Sequence, residues 1–597
     1  MGKPSFAKDN KAENETGYDL EARRKSVDFP STELSGAMTK GMKRLLSSKI
    51  FKLERAVSHI LSHASARAYG AIMLSFGLLS LILYFIGIYP DRGMSTPIIA
   101  LSFSVLAIPF LFSDRSLPYI LQRYSLTDFI FFDFLGIKRT NKADQNQNVP
   151  AIIAILIGFV LSVLGCFVPL WKVVLTVGII LFAYVSFVSP EFVFFISLMV
   201  LPYSSLVPAS NIIFPCIVGL AFVSFLRKAI YGKRVINLER YDLFLGLFLL
   251  IILISGIFLK GISSFSSSVE MVIMAAGYML AGNIIANRRL ADRIINSLVF
   301  SSTIPAVISI TQIIIKLWGG ASVDDAFDGV LAREDGVAVY LLAAVIFAIS
   351  MAKHSYGSMR GVYSVTAIVN FAALVISAEI FAIIALLLSA FAHRVLKSNK
   401  KIWFWLPILL ALPYSLLAIP NAYLDKVFAY VPSLRTAGEI LKLWERCLVT
   451  LGNNLIFGIG IGSESFAEEM AKHELFGYPD SGNLFIEIGL EAGVFALVIF
   501  LLILVVRMYH RHIYFPYVRS SQVSTNALVS EICMFAFISY GCINYIWSNV
   551  SAYYLFWTVF GIGSATLRVA KREHDDRIFY YQDLMAKDSS ALDVEIV

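Results

Sequence analysis

A polar strip followed by two glutamates is the part of the chain best suited to chemistry. The strip, Tyr478-Pro479-Asp480-Ser481-Gly482-Asn483, leads into an apolar segment that carries Glu487 and Glu491. Glutamates four residues apart lie about 40° apart around a helix axis and share one face. Ionisable groups inside a membrane span are costly and usually face a cavity or a partner. We predict that this face lines a polar cavity; the alternative is that both glutamates only form structural pairs.

Small residues occupy the opposite face of the same predicted helix. Gly489 and Gly493 are four residues apart, and Ala496 continues the stripe. Such a pattern allows a neighbouring backbone to approach a membrane helix closely. One face is therefore expected to pack while the other lines the cavity.

The composition indicates the class of protein that must position these groups. Hydrophobic residues make up 57% of the 597 residues, charged residues only 15%, and the mean hydropathy is +0.72. These values are far from those of soluble proteins. Long apolar runs predict an all-α polytopic membrane protein with about 14–16 transmembrane helices. Five scattered cysteines, none at metal-ligand spacing, predict neither a metal site nor a disulfide framework.

The positions of the basic residues predict the orientation in the membrane. If the N-terminus is cytoplasmic, most of the 50 Lys and Arg residues fall in inner segments, as the positive-inside rule requires. Both termini are then cytoplasmic. The net charge of +8 suits anionic lipid headgroups, so nucleic acid is not expected as a partner. No apolar leader is present, so no cleavable signal peptide is expected.

The same pattern divides the chain into five parts. Residues 1–66 are predicted to be a cytoplasmic tail with a basic amphipathic helix, and 569–597 a second cytoplasmic tail. Residues 67–419 form the N-terminal membrane helices, and 483–568 the C-terminal ones. Residues 420–482 form a large extracytoplasmic loop, where function is expected to concentrate.

Several motifs around this loop resemble those of a known family. Trp444, Gly458-Ile459-Gly460 and the segment from Asn483 to Gly493 resemble the signature of the bacterial O-antigen ligase and polymerase superfamily, over about residues 190–565. Members are similar to lipid-sugar-dependent, GT-C-like glycosyltransferases and take an oligosaccharide from a polyprenyl diphosphate. The resemblance implies an enzyme that needs neither metal nor cofactor. The Gly458–Gly462 segment lacks the Lys-Ser/Thr of a nucleotide-binding loop and is expected to be a flexible turn.

Four positions depart from the pattern of that family. Gly482 stands where a histidine is usual, Arg333-Glu334-Asp335 replaces Asn-Pro-Asn, and Ala378-Glu379 replaces Ser-Arg. Ile440 stands where an arginine commonly precedes the tryptophan. These departures leave open that the chain is a pseudoenzyme in an envelope-polymer assembly.

Transfer from a polyprenyl diphosphate sets chemical requirements that select candidate residues. The leaving diphosphate requires outward-facing cations, and guanidinium groups bind phosphate best. The attacking hydroxyl requires a base, which a carboxylate or a histidine can supply. Each cation has nearby acids with which it could simply pair, and Asp480 could instead cap the following helix. The candidates are Arg333, Arg435, Arg446 and Lys442 for the diphosphate; Asp480, Glu487 and His473 for catalysis; and Asp335, Asn483 and Glu491 for lining the acceptor cavity.

The function predicted from these features is polymerisation of polyprenyl-diphosphate-linked repeat units into a surface polysaccharide, that is, an O-antigen, a capsule or an exopolysaccharide. The reaction is expected at the outer face of the cytoplasmic membrane of a bacterium. A flippase and a chain-length regulator of the same pathway are the expected protein partners, together with membrane lipids. The alternatives are an O-antigen ligase and a transporter or flippase of lipid-linked oligosaccharides.

Overall fold

A computed structural model describes residues 65–89, 93–113, 115–124, 127, 151–206, 210–230, 236–239, 241–258, 261–320, 322–327, 329–333, 336–398, 437–473, 478–518 and 522–594. Within these ranges the chain is built from helices, with no β-strand beyond one isolated bridge between Ser65 and Ser116. Of the predicted tail 1–66, residues 1–64, with the amphipathic helix, lie outside the described residues. So do Arg435, Glu334 and Asp335.

The α-helices are numbered here in chain order. They are α1 (Ala66–Ile86), α2 (Ser95–Leu111), α3 (Leu117–Arg123), α4 (Ala151–Leu164), α5 (Leu170–Val188), α6 (Pro190–Val200), α7 (Ser210–Ile230), α8 (Asp242–Phe258), α9 (Gly261–Ile284), α10 (Arg288–Trp318), α11 (Val323–Phe327), α12 (Val337–His354), α13 (Ser358–Ile376), α14 (Ile380–Ser398), α15 (Ala437–Asn453), α16 (Ser463–Ala471), α17 (Leu484–Val518), α18 (Gln522–Gly541) and α19 (Val550–Val594). Two short 3₁₀ helices cover Leu201–Leu206 and Leu331–Arg333.

The length and composition of these helices confirm an all-α polytopic membrane protein. In the described part of the chain, nine helices are long and apolar enough to cross a membrane, and five shorter helices are also apolar. Many large apolar side chains on them are exposed, for example Phe85 at 80% and Ile152 at 78%. An exposed apolar surface of this kind is expected where helices face lipid rather than water.

The chain divides into two compact units, of which the first contains α1 to α4 and the start of α5. Its helices pack closely because small residues lie at the contacts: a Cβ on Gly77 would meet the Ala100 carbonyl at 2.6 Å, and one on Gly158 would meet the Ile72 carbonyl at 2.5 Å. The Tyr89 hydroxyl donates to Ser80 Oγ at 3.0 Å. This polar contact is buried and hydrogen-bonded, as membrane interiors require.

The second unit contains the remaining helices and the predicted site. Its central helix is α19, in which every residue from Ser551 to Leu567 is buried inside the protein. Helix α9 packs along it, because Gly277 and Gly561 lie where a side chain would clash with the facing helix. Helices α8, α12, α17 and α18 surround this pair and carry the residues of the candidate site.

Candidate functional site

Helix α17 is interrupted beside the acidic residues. Gly493 has φ 87° and ψ 169°, which is not helical. The carbonyl of Leu490 accepts a hydrogen bond from Ile459 N–H at 2.8 Å, and Val494 N–H donates to the Leu455 carbonyl at 2.9 Å. The loop after α15 therefore supplies the backbone partners that a continuous helix would have supplied internally, as a break at membrane depth requires.

Two glycines make this close approach possible. A Cβ on Gly493 would lie 2.2 Å from the Ile456 carbonyl oxygen, and one on Gly458 would lie 2.4 Å from the Leu490 carbonyl oxygen. Gly458 also has a positive φ of 74°. The predicted turn at Gly458–Gly462 is thus present, but backbone hydrogen bonds fix it against α17, so the expectation of flexibility is not met.

The polar strip is held by its own backbone and by α15. Asn483 Oδ1 accepts from Phe485 N–H at 2.9 Å and from Ile486 N–H at 3.2 Å, so Asn483 caps α17. Asp480 does not take that role; its Oδ1 accepts from Gly482 N–H at 2.9 Å. Trp444 Nε1 donates to the Ser481 carbonyl at 2.7 Å. The tryptophan singled out from the sequence therefore anchors the strip.

The two glutamates are almost fully buried, Glu487 at 1% and Glu491 at 4% exposure. Glu487 Oε2 accepts from Ser481 N–H at 2.8 Å. Glu491 Oε1 accepts from Gly462 N–H at 2.8 Å, and its Oε2 accepts from the Tyr545 hydroxyl at 3.0 Å. Each carboxyl group thus holds a different loop against α17 by a buried hydrogen bond.

The pKa of the neighbouring Cys447 thiol, on α15, is raised by burial and by the acidic residues of this region. Burial raises the pKa of Cys447 to about 12, and the negative charges of Glu487 and Asp480 add to the rise. Because these acids perturb the same thiol, Asp480 lies close enough to act on the region around the glutamates. The structure therefore brings together Asp480, Asn483, Glu487 and Glu491, but none of the four lines a described cleft, and the two glutamates are buried in hydrogen bonds to loops.

A small polar cleft of about 70 Å³ opens beside this acidic group. Arg333, an exposed residue that follows α11, lines the cleft, and its guanidinium stacks 5.1 Å from the ring of Phe327. Tyr545 also lines it and reaches Glu491 with its hydroxyl. The cleft that Arg333 lines therefore also contains the tyrosine that is hydrogen-bonded to Glu491.

Backbone strain lies at the edge of the same cleft. Ala378 has φ 58°, the only positive φ of a residue other than glycine among the described residues. Such strain costs of order 1–3 kcal/mol and is often found at functional sites. It orients Glu379, whose Oε2 accepts from the Tyr540 hydroxyl at 3.2 Å. The family departure at Ala378-Glu379 thus places an acid, rather than a cation, in the cleft.

Other predicted site residues lie elsewhere. Lys442 and Arg446 are exposed on α15, and neither lines a described cleft. His473 is exposed after α16, with Nε2 3.5 Å from the Thr450 hydroxyl oxygen. Arg435 and Asp335 lie outside the described residues. Of the four predicted diphosphate ligands, Arg333 is the one that the described structure brings to the acidic group.

Residues from the connection between α18 and α19 were missed from the sequence. Tyr540, Asn544, Tyr545 and Asn549 all line the cleft. The signal was a short polar and aromatic run, Tyr540-Gly-Cys-Ile-Asn-Tyr-Ile-Trp-Ser-Asn549, between two apolar spans. Polar groups between apolar spans usually line cavities, so this run indicates a cavity by the same rule as the strip before α17.

No group of three or more metal-ligating side chains occurs in the part of the chain that the structure describes. The fold and the site define a multi-pass, all-α membrane protein with a buried acidic group at a broken helix and an arginine-lined cleft beside it. Comparison with protein-family models and with curated proteins finds no match to this chain.

Proposed function

We propose that this protein is a glycosyltransferase that polymerises polyprenyl-diphosphate-linked repeat units at the outer face of the bacterial cytoplasmic membrane. The observation that carries the proposal is Tyr545, which lines the cleft with Arg333 and donates its hydrogen bond to Glu491. The reaction needs a cation for the leaving diphosphate and a base for the acceptor. Arg333 lines this cleft, and the buried carboxyl group of Glu491 is linked to it by the Tyr545 hydroxyl.

The contacts favour particular roles within the proposed reaction. Arg333 binds the diphosphate as it leaves, because its guanidinium matches phosphate geometry. Glu491 takes the proton of the attacking hydroxyl through Tyr545, since Tyr545 lines the cleft and its hydroxyl donates to Glu491 Oε2. Glu487 accepts from Ser481 N–H and holds the polar strip against α17. A single displacement of this kind inverts the anomeric configuration.

Complementation of a deletion strain tests the proposal, with polymer length on lipid-linked glycans as the readout. Arg333→Ala and Tyr545→Phe are expected to accumulate single repeat units. Arg360→Ala is the matched control, because it removes an exposed arginine that lines no described cleft and is not a candidate diphosphate ligand, and polymer is expected to remain. Normal polymer length from Arg333→Ala, with the protein present in the membrane, would refute the assignment of the site.

Ligase and polymerase share the donor chemistry, and the same assay separates them. Intact polymer that stays on the prenyl carrier in the deletion strain, instead of reaching its lipid acceptor, indicates a ligase. The absence of the family histidine at Gly482 favours the polymerase.

A transporter or flippase of lipid-linked oligosaccharides is the second candidate, and the interrupted helix α17 is the observation that favours it. Transporters commonly build their substrate sites at discontinuous helices near the middle of the membrane. In this protein the loop already donates hydrogen bonds to the carbonyls freed at the break. Ile459 N–H donates to the Leu490 carbonyl, and Gly460 N–H donates to the Glu491 carbonyl at 3.2 Å. Repeat units trapped on the cytoplasmic leaflet of the deletion strain would identify this function instead.

A further inference from the structure

A second polar cavity lies at the other end of α17 and α19, far from the acidic group. Its volume is about 400 Å³, and its lining includes Glu239, His510, Arg568, Lys571 and Arg572. From Val494, the first residue after the break in α17, to His510 the helix advances about 24 Å at 1.5 Å per residue, which is most of the thickness of the hydrocarbon core. The two cavities therefore belong to opposite faces of the membrane.

The basic groups of this cavity are positioned by the fold. Arg568 Nη1 donates to Glu239 Oε1 at 3.1 Å, and Arg568 Nη2 donates to the Gly282 carbonyl. His510 Nε2 lies 3.1 Å from Glu239 Oε2, and the His510 ring packs edge-on against Tyr241. Glu239 thus holds Arg568 and His510 at the wall of the cavity.

The electrostatic balance of the cavity is positive. Its lining has three permanently charged cations, with His510 as a fourth basic group, against the two acids Glu239 and Asp575. Burial acts to raise the pKa of Glu239, but the hydrogen bond and charge of His510 and the charge of Arg568 outweigh it, and the pKa is lowered. A carboxyl group whose ionised form is favoured despite burial lies in a positive field.

The location of the cavity indicates where its ligand comes from. His510 is near the end of the spanning segment Leu484–His512, and residues 567–575 end the spanning window of α19. Basic pockets between membrane helices at this depth suit the phosphate groups of anionic lipids. The volume is sufficient for a headgroup.

We propose that this cavity binds the phosphate group of an anionic lipid headgroup, with Lys571 and Arg572 as the principal ligands and Arg568 as a fixed support. Asp575, four residues after Lys571, limits the affinity by like-charge repulsion of the phosphate. This site is independent of the glycosyl-transfer proposal, because it shares no residue with the cleft around Arg333.

The test is lipid binding to the full-length protein, purified in detergent and delipidated. Native mass spectrometry measures the binding of phosphatidylglycerol and of phosphatidylcholine, which differ in net charge, and a separate titration uses inorganic diphosphate. The variant Lys571→Ala/Arg572→Ala is expected to lose about 30-fold in affinity for phosphatidylglycerol, from the usual contribution of two basic groups. Asp575→Asn is expected to bind it more tightly than the wild type.

The matched control is Lys353→Ala/Arg360→Ala. These two exposed cations flank the turn between α12 and α13, and α12 starts at the Arg333 cleft, so its other end lies on the same face as the proposed site. Less than a twofold change is expected from the control. Lys571→Arg/Arg572→Lys keeps both charges and is expected to retain binding, which separates loss of ligand groups from loss of fold.

Three results would overturn the proposal. One is an equal loss of affinity for phosphatidylglycerol in the control and cavity variants, which would indicate that binding depends on overall charge and not on this cavity. Another is no preference for phosphatidylglycerol over phosphatidylcholine. The third is tight binding of inorganic diphosphate that competes with no lipid, which indicates a site for a water-soluble phosphate compound.

Discussion

Replacing Gly493 by alanine tests whether the break in α17 is a fixed feature of the fold. The backbone at Gly493, with φ 87° and ψ 169°, lies in a region that is essentially restricted to glycine, and alanine there costs of order 1–3 kcal/mol. The added Cβ would also lie 2.2 Å from the Ile456 carbonyl oxygen, so the loop must shift. Each of the two backbone hydrogen bonds that cross this contact contributes about 1 kcal/mol. The expected loss of stability is therefore about 3–5 kcal/mol.

Denaturant unfolding in mixed micelles measures this loss, and hydrogen exchange at the Ile459 amide reports the loop itself. Gly489→Ala is the control, because its Cβ would meet only side-chain ends, those of Leu451 at 3.3 Å and Leu497 at 3.5 Å, and a change within about 1 kcal/mol is expected. Gly458→Ala removes the same contact from the other side, so the double variant should cost less than the sum of the single ones. Equal stability of the Gly493 and Gly489 variants would refute the reasoning.

Three further predictions concern the surroundings of the two cavities. At pH 8, alkylation of Cys447 by a thiolate-specific reagent is expected to be roughly 1,000-fold slower than that of a thiol with an ordinary pKa, because the pKa of Cys447 is raised to about 12. Alkylation at the ordinary rate would contradict the burial of Cys447 beside the acids. Asn483→Ala should lower unfolding stability by about 1 kcal/mol through loss of the α17 cap, whereas Asp480→Ala should not, and the reverse order would make Asp480 the cap. Glu239→Gln should be less stable than the wild type at pH 7. The difference in stability should disappear as the pH falls through the lowered pKa of Glu239, because protonation removes the ion pairs in the wild type. A difference that persists at low pH would indicate a packing effect instead.

The membrane class and the acidic face of α17 were predictable from local information. Apolar runs follow from composition, and the spacing of Glu487 and Glu491 alone places them on one side of a helix. The small residue at position 493 was also recognised, and a close backbone approach was expected there. What approaches is a loop instead of another helix, because φ of Gly493 interrupts the helix, and helical spacing cannot reveal that.

The contacts that complete the site were not predictable, because they join distant parts of the chain. Tyr545 reaches Glu491 across 54 residues, and Arg333 lines the same cleft as Tyr545 from more than two hundred residues away. Local periodicity carries no information about such pairs. The exposed positions of Arg446 on α15 and of His473 after α16 are likewise decided by packing between α15, α16 and α17. Residue type alone therefore selected more cations than the site uses.

The two buried glutamates differ in how many donors they satisfy, and this difference predicts unequal effects of the same substitution. Glu487 accepts one backbone hydrogen bond, from Ser481 N–H, and the amide oxygen of glutamine can replace that acceptor. Glu491 accepts from Gly462 N–H with one oxygen and from Tyr545 with the other. Glutamine has a single acceptor oxygen, so Glu491→Gln leaves one buried donor without its partner.

Leaving a buried donor unsatisfied costs about 1–3 kcal/mol, and Glu487→Gln should escape that cost. Unfolding in mixed micelles is therefore expected to rank Glu491→Gln below Glu487→Gln. Adding Tyr545→Phe to Glu491→Gln removes the competing donor, lets the amide oxygen accept from Gly462 N–H, and should recover part of the loss. Tyr545→Phe could instead lower the stability of the Glu491→Gln variant by as much as it lowers that of the wild type. In that case the two side chains are not coupled, and the Tyr545 hydrogen bond does not link the acidic residues to the cleft.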